Sequence, residues 1–220
     1  MPTRTEPRVH IVDDDAAVRD SLRELIQSAG LSVELYASAE EFLLACGTRL
    51  AGCLLLDLRM AGMGGLDLQQ ALRARGADLP VIILTGHGDV PAATRAFKQG
   101  ASEFIQKPYE PHELLRCVRA ALAQHAQTRQ TADHRSAIAA RLEKLSSREH
   151  QVLELLTKGL FHKQIAAALG IAERTVEFHR AHVLQKMEAG SLAQLVQIVS
   201  ALHGPDATSH FLSDPTGSRS

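Results

Sequence analysis

Four short apolar runs in this chain each end on, or lead straight into, a side chain that can handle a phosphate or a divalent cation. Val9-His10-Ile11-Val12 ends on Asp13-Asp14-Asp15, and Gly52-Cys53-Leu54-Leu55-Leu56 ends on Asp57. Val81-Ile82-Ile83-Leu84 ends on Thr85, and Glu103-Phe104-Ile105 leads to Lys107-Pro108. Clustered carboxylates raise one another's proton affinity unless a cation lies among them. An oxygen-only set suits Mg²⁺, which is usually held by one or two carboxylates and keeps several waters. Lys107 adds a point charge for a phosphoryl group, and Thr85 adds a hydroxyl for a phosphate oxygen. Such parts can place a phosphoryl group on an aspartate and stabilise its transfer electrostatically. Each residue also has a plainer role: Asp13 to Asp15 are good helix caps, Asp57 a loop carboxylate, Thr85 a turn residue. Their shared position at the ends of apolar runs favours one common site.

The runs have the length and composition of strands buried on both faces. Between them the spacing turns helical. Val18, Leu22, Leu25, Ile26 and Ala29 form one stripe, closed by Gly30. Leu31 to Tyr36 alternates like a strand, and Ser38 with Glu41 reads as a capping box opening the next helix. A loop with Gly62, Gly64 and Gly65 precedes a helix through Leu66, Leu68 and Leu72. Further helices are expected from about Asp89 to Gln99 and from Pro111 to about Gln124. Strand and helix alternate five times, which predicts a doubly wound parallel sheet with its ligand groups at the carboxyl ends of the strands. Gly62-Met63-Gly64-Gly65 follows the third strand and lacks the last glycine of a dinucleotide fingerprint, so it does not mark a nucleotide site.

Residues 125–143 are rich in Gln, Thr, Ala, His and Arg with weak apolar periodicity, and read as a partly helical linker. Four helical stretches follow, Ser147–Lys158, His162–Leu169, Glu173–Met187 and Ser191–Leu202, separated by Gly159, Gly170 and Gly190. The expected organisation is a domain over 1–124, a linker over 125–143, an all-helical domain over 144–204 and a polar, disordered tail over 205–220. Charge divides the same way. Residues 1–124 hold 13 Lys/Arg against 16 Asp/Glu, and residues 125–204 hold 10 against 7. The second half is therefore modestly basic, which permits nucleic-acid binding. Three cysteines without CxxC spacing fit reduced thiols. No stretch approaches the ~18 apolar residues of a membrane span, and the N-terminus lacks the apolar core of a secretory signal. A cytoplasmic protein with no membrane partner is expected.

Through Asp13-Asp14, Asp57, Thr85 and Lys107-Pro108, in this order and at this spacing, residues 8–124 resemble the response-regulator receiver domain. The resemblance implies a flavodoxin-like (βα)5 fold with strand order 2-1-3-4-5. It makes Asp57 the phosphoacceptor, gives Mg²⁺ to Asp13, Asp14, Asp57 and the backbone carbonyl of Arg59, pairs Lys107 with the phosphoryl group, and makes Thr85 and Phe104 a switch. It also implies a cis Lys107–Pro108 bond. Receivers usually carry proline where Ala61 stands, so a looser loop after Asp57 is expected. Arg59 and His87 flank the site. Val90, Ala93 and Phe97 lie on the segment that shifts to form a dimer surface.

Leu145-Ser146-Ser147-Arg148-Glu149, Lys163-Gln164-Ile165-Ala166, Leu169-Gly170-Ile171, Thr175-Val176-Glu177-Phe178-His179-Arg180 and Lys186-Met187 resemble the LuxR-type helix-turn-helix of FixJ/NarL regulators. Ile165, Leu169, Ile171 and Val176 are spaced to bury two helices against each other across Gly170. That leaves Lys163, Thr175, Glu177, His179, Arg180 and Lys186 as polar candidates for DNA. Lys163, Arg180 and Lys186 suit phosphate, Arg180 alternatively guanine, and Glu177 a cytosine amine or a neighbouring arginine. His179 and His182 lie three apart, but no third ligand at zinc spacing accompanies them. Thr85-Gly86-His87-Gly88-Asp89-Val90 and Glu177 look most like the FixJ branch. The resemblance implies a sensor histidine kinase as phosphoryl donor, a homodimer on phosphorylation, promoter DNA and RNA polymerase as partners, and usually activation. Two other classes compete with this expectation. A regulator that binds DNA without phosphorylation is one. The other is a phosphatase working through an aspartyl phosphate, but that class carries a second aspartate where Arg59 stands.

Overall fold

The computed structural model describes residues 6–46, 50–86 and 100–203. The expected helix over 89–99, with His87, Val90, Ala93 and Phe97, and the tail expected over 205–220 lie outside them. The chain divides into two compact units, Met1–Arg129 and Gln130–Ser220.

The first unit is built on five parallel strands: β1 (Arg8–Val12), β2 (Val33–Tyr36), β3 (Gly52–Asp57), β4 (Val81–Thr85) and β5 (Glu103–Gln106). Their order is β2-β1-β3-β4-β5, the doubly wound order in which the chain reverses direction beside β1 and β3. Around the sheet lie α1 (Ala16–Ser28), α2 (Ala39–Ala45), α3 (Gly65–Ala74) and the long α4 (Pro111–Leu142). Because successive side chains alternate across a strand, the sheet builds two cores. Val12, Leu54, Leu56 and Ile83 join Phe42, Leu68 and Leu72 on one face. Val9, Ile11, Cys53, Leu55, Ile82, Leu84 and Ile105 join Leu22, Ile26, Leu114 and Val118 on the other.

Local chemistry sets the helix starts. Asp15 caps α1, its carboxylate accepting from the amides of Ala17 and Val18. Ser38 caps α2 by accepting from the Glu41 amide. Glu41 reaches back one residue further than a capping box requires, to the Ala37 amide at 2.6 Å.

The linker expectation needs correction. Residues 125–142 are helical throughout, and they continue the helix that was expected to stop near Gln124. Weak apolar periodicity hid this, because the stretch buries single residues rather than a stripe. His125 is buried in the first unit, its Nδ1 within 2.8 Å of the Gly52 carbonyl and 3.1 Å of the Gly52 amide. Ile138 is fully buried in a core of the second unit.

That unit continues with α5 (Ser147–Thr157), α6 (His162–Leu169), α7 (Glu173–Lys186) and α8 (Leu192–His203). Ser146 and Glu149 form a reciprocal capping box at the start of α5. Gly170 ends α6 in the left-handed conformation (φ 64°) that turns the chain into α7. Val152, Leu156, Ile165, Ala166 and Val176 make the core under that turn, with Leu169 and Ile171 packed against it.

Candidate functional site

Register decides which polar side chains meet at the carboxyl edge of the sheet. Val12 pairs with Leu56, so Asp13 and Asp57 each stand one residue beyond a matched pair on neighbouring strands. Asp57 pairs with Leu84, and Thr85 with Gln106, so Lys107 is the next residue out. Alternation puts Asp13, Asp57 and Lys107 in phase with Ile11, Leu55 and Ile105 on one face of the sheet. Thr85 and Phe104 are in phase with the opposite core, where Phe104 packs half-buried.

The contacts agree with that phase. The Lys107 ammonium donates to Asp57 Oδ1 at 2.7 Å and to Asp13 Oδ2 at 3.0 Å. Both carboxylates are buried, at 8% and 3% exposure. Burial alone would lower the pKa of Lys107, but its bonds to Asp57 and Asp13 outweigh burial and the net shift is upward. Lys107 therefore stays charged, one cation facing two anions. The Lys107–Pro108 bond is cis.

Backbone groups complete the edge. The Arg59 amide donates to Asp57 Oδ2 at 2.7 Å. Arg19 donates to the Asp13 carbonyl at 2.7 Å, and the Asp15 amide to Asp13 Oδ1 at 2.9 Å. Asp14 is exposed, and its Oδ2 accepts from the Ala61 amide at 2.9 Å. Gly65 lets α3 begin directly under this edge, because a Cβ there would collide with the Asp57 carbonyl oxygen. Thr85 is 2% exposed and its hydroxyl has no hydrogen-bond partner among the described residues. A buried unpaired hydroxyl costs about 1–3 kcal/mol, which a ligand oxygen would recover.

The donor set fits a hard divalent cation: every candidate ligand is oxygen, and two of the carboxylates are buried side by side with a single ammonium between them. Among the described residues no group of three acidic, His or Cys side chains converges in a metal-holding arrangement. Asp14 is exposed and gives one carboxylate oxygen to the loop amide of Ala61.

The helical unit sorts its candidates differently. Lys163 is exposed on α6, and Thr175, His179 and Arg180 are half-buried on α7. Glu177 points into solvent 3.8 Å from the His162 imidazole. Lys186 does not join them. Its ammonium is 2.7 Å from Glu149 Oε2, a carboxylate only 5% exposed that also completes the capping box of α5. The Lys186 bond contributes most to holding the Glu149 pKa down to about 2.

Sequence reasoning passed over Phe178. It is 61% exposed on α7, its ring 4.2 Å from that of His182, whose Nδ1 lies 2.9 Å from the Phe178 carbonyl. The signal was present: Phe178 lies two residues from the buried Val176, which puts it on the far side of the helix.

Residues 9–119 match the response regulator receiver domain family, and residues 143–199 match the luxR family of bacterial regulatory proteins. The transcriptional regulatory protein FixJ of Azorhizobium caulinodans is 48% identical over 190 residues, covering 86% of this chain and 90% of that protein. The chain belongs to the FixJ-like response regulators. The response regulator protein TodT of Pseudomonas putida is 43% identical over 194 residues, covering 88% of this chain and 86% of that protein. Among solved structures, the response regulator StyR matches with a TM-score of 0.83 at 44% identity, over 88% of this chain and 98% of that one. Full-length FixJ from B. japonicum matches with a TM-score of 0.57 at 41% identity, over 90% of this chain and 98% of that one. This response regulator therefore controls transcription and is not an enzyme. Its two domains imply a histidine kinase upstream and DNA downstream, and its receiver family binds Mg²⁺. Among the described residues no helix is long and apolar enough to cross a membrane.

Proposed function

We propose that Asp57 accepts a phosphoryl group from a partner sensor histidine kinase and that the modified protein dimerises on promoter DNA. The observation that carries this reading is the Lys107 ammonium bonded to two buried carboxylates, Asp13 and Asp57, while the Lys107 amide bonds the carbonyl of Thr85, whose buried hydroxyl is unpaired among the described residues. One Asp57 oxygen attacks the phosphorus of the kinase phosphohistidine, the P–N bond breaks, and the imidazole leaves with the electron pair. Lys107 holds a phosphoryl oxygen as charge builds there. Asp13, Asp14, Asp57 and the Arg59 carbonyl would hold Mg²⁺, which would supply charge neutralisation at the phosphoryl oxygens.

Phosphorylation adds about −1.5 to −2 charge to an edge that already carries more carboxylates than cations. The Thr85 hydroxyl gains its missing partner by turning to the new oxygens, and Phe104 moves into the space that Thr85 leaves. Ligand-linked population shift describes the rest: the phosphorylated state favours a dimer, and a dimer suits paired half-sites. Lys163, Thr175, Glu177, His179 and Arg180 face the promoter, while Phe178 offers an apolar surface to a thymine methyl. The bound dimer engages RNA polymerase and activates transcription in the cytoplasm.

The test is the intact mass of wild type and Asp57→Ala after incubation with acetyl phosphate and Mg²⁺. A Mg²⁺-dependent phosphoryl adduct on wild type alone is the expected result. An adduct on both proteins would move the acceptor elsewhere. Equal promoter affinity of wild type and Asp57→Ala under phosphorylating conditions would favour a regulator independent of phosphorylation.

A further inference from the structure

The loop between β3 and α3 is fastened by backbone amides that donate to carboxylates at alternate residues. Arg59 donates to Asp57 at 2.7 Å, Ala61 to Asp14 at 2.9 Å, and Met63 to Glu40 at 3.0 Å. The middle bond joins residues 47 apart in sequence, so it ties this loop to the one between β1 and α1. It exists only because residue 61 has an N–H; proline has none to give. Asp13 and Asp57 converge on Lys107, whereas Asp14 spends one oxygen on the loop, and no third carboxylate joins the other two among the described residues.

We propose that the Ala61 amide is a latch that competes with Mg²⁺ for Asp14. This rests on the Mg²⁺ site described above. To reach the cation, the Asp14 carboxylate turns inward from the loop and gives up the Ala61 bond. Mg²⁺ binding and loop closure then oppose each other. By linkage, whatever loosens the latch strengthens the cation site by the same factor. The loop after Asp57 is thus held shut before the cation arrives and released when it binds, so a chain with alanine here couples loop order to Mg²⁺ in a way that a chain with proline does not.

The test is a Mg²⁺ titration by calorimetry on the full chain as wild type, Ala61→Gly and Ala61→Pro. Glycine keeps the N–H and should leave the Kd near that of wild type. Proline removes it and should tighten Mg²⁺ binding by about 3- to 10-fold, the worth of one modest hydrogen bond. A second measurement needs no variant. In wild type the Ala61 amide proton should exchange slowly without Mg²⁺ and faster once the site is saturated. Equal or weaker Mg²⁺ affinity in a folded Ala61→Pro protein overturns the latch, and so does an Ala61 amide whose protection ignores Mg²⁺. Both of those results leave the phosphoacceptor reading standing. A wild-type protein that binds no Mg²⁺ overturns the latch and the Mg²⁺ site together.

Discussion

Two buried carboxylate–lysine contacts, one in each unit, have opposite characters. In the helical unit Glu149 has its own cation: Oε2 accepts from Lys186 and from the Ser146 amide, and the Ser146 hydroxyl answers the Glu149 amide. One anion meets one cation. At the edge of the sheet, one ammonium, Lys107, is shared by two carboxylates, Asp13 and Asp57, whose other oxygens take only the neutral amides of Asp15 and Arg59, and the Thr85 hydroxyl is buried without a partner among the described residues. A network that closes on itself holds structure together. One with surplus anion and an unpaired hydroxyl is incomplete until a ligand arrives, and the cost of keeping it so marks function rather than stability.

Substitutions can break this contrast. The largest effect expected is all-or-none: Asp57→Ala abolishes the phosphoryl adduct, read by intact mass, with little loss of fold. Lys107→Ala should still permit phosphorylation yet uncouple it from dimerisation; a phosphorylated Lys107→Ala protein that dimerises fully by light scattering would contradict that. Lys186→Ala strands the buried Glu149 charge and should destabilise the helical unit by about 2–4 kcal/mol in chemical denaturation, without touching phosphorylation. Thr85→Val, close in shape, removes an unpaired hydroxyl. It should raise receiver stability by about 0.5–2 kcal/mol while abolishing the response to phosphorylation. If Val instead destabilised the receiver, the hydroxyl would be paired in solution and the contrast would weaken.

Acidification should separate the units too. Burial lowers the pKa of His10 and of His125, and His10 Nε2 has no partner among the described residues. The unfolded chain therefore takes up these protons first, so receiver stability is full above about pH 6.5 and falls as pH drops below it. Glu149, depressed to about 2, contributes stability to the helical unit that is intact above pH 4.5 and is lost only as pH falls toward 2. Residue-resolved amide exchange should show the receiver loosening first, and His10→Phe should remove part of its slope.

Much of the receiver was legible before any coordinates. Runs of four or five residues ending on Asp13, Asp57 and Thr85 have one economical arrangement, and the register delivers it. What could not be read was the division of labour among neighbours of one type. Asp13, Asp14 and Asp15 are alike in sequence, yet Asp13 meets Lys107, Asp14 the Ala61 amide, and Asp15 the start of α1. Lys186 looked like a phosphate contact because it is basic and near the end of the presumed recognition helix. Its partner Glu149 is 37 residues away, and no local pattern announces that pair. The stretch 125–142 looked like a linker for a related reason: His125 and Ile138 are buried singly by different cores, which leaves no periodic stripe.

Sequence by itself determined the order of strands and helices, the phase that sends Asp13, Asp57 and Lys107 to one face, and the turn at Gly170. These follow from alternation, helical spacing and backbone chemistry, all properties of near neighbours in the chain. Only the tertiary structure decided which carboxylate each cation serves, which hydroxyl is left unpaired, and which aromatic is left in solvent. Those depend on distances between residues tens of positions apart, and burial makes each such pairing too strong to be incidental.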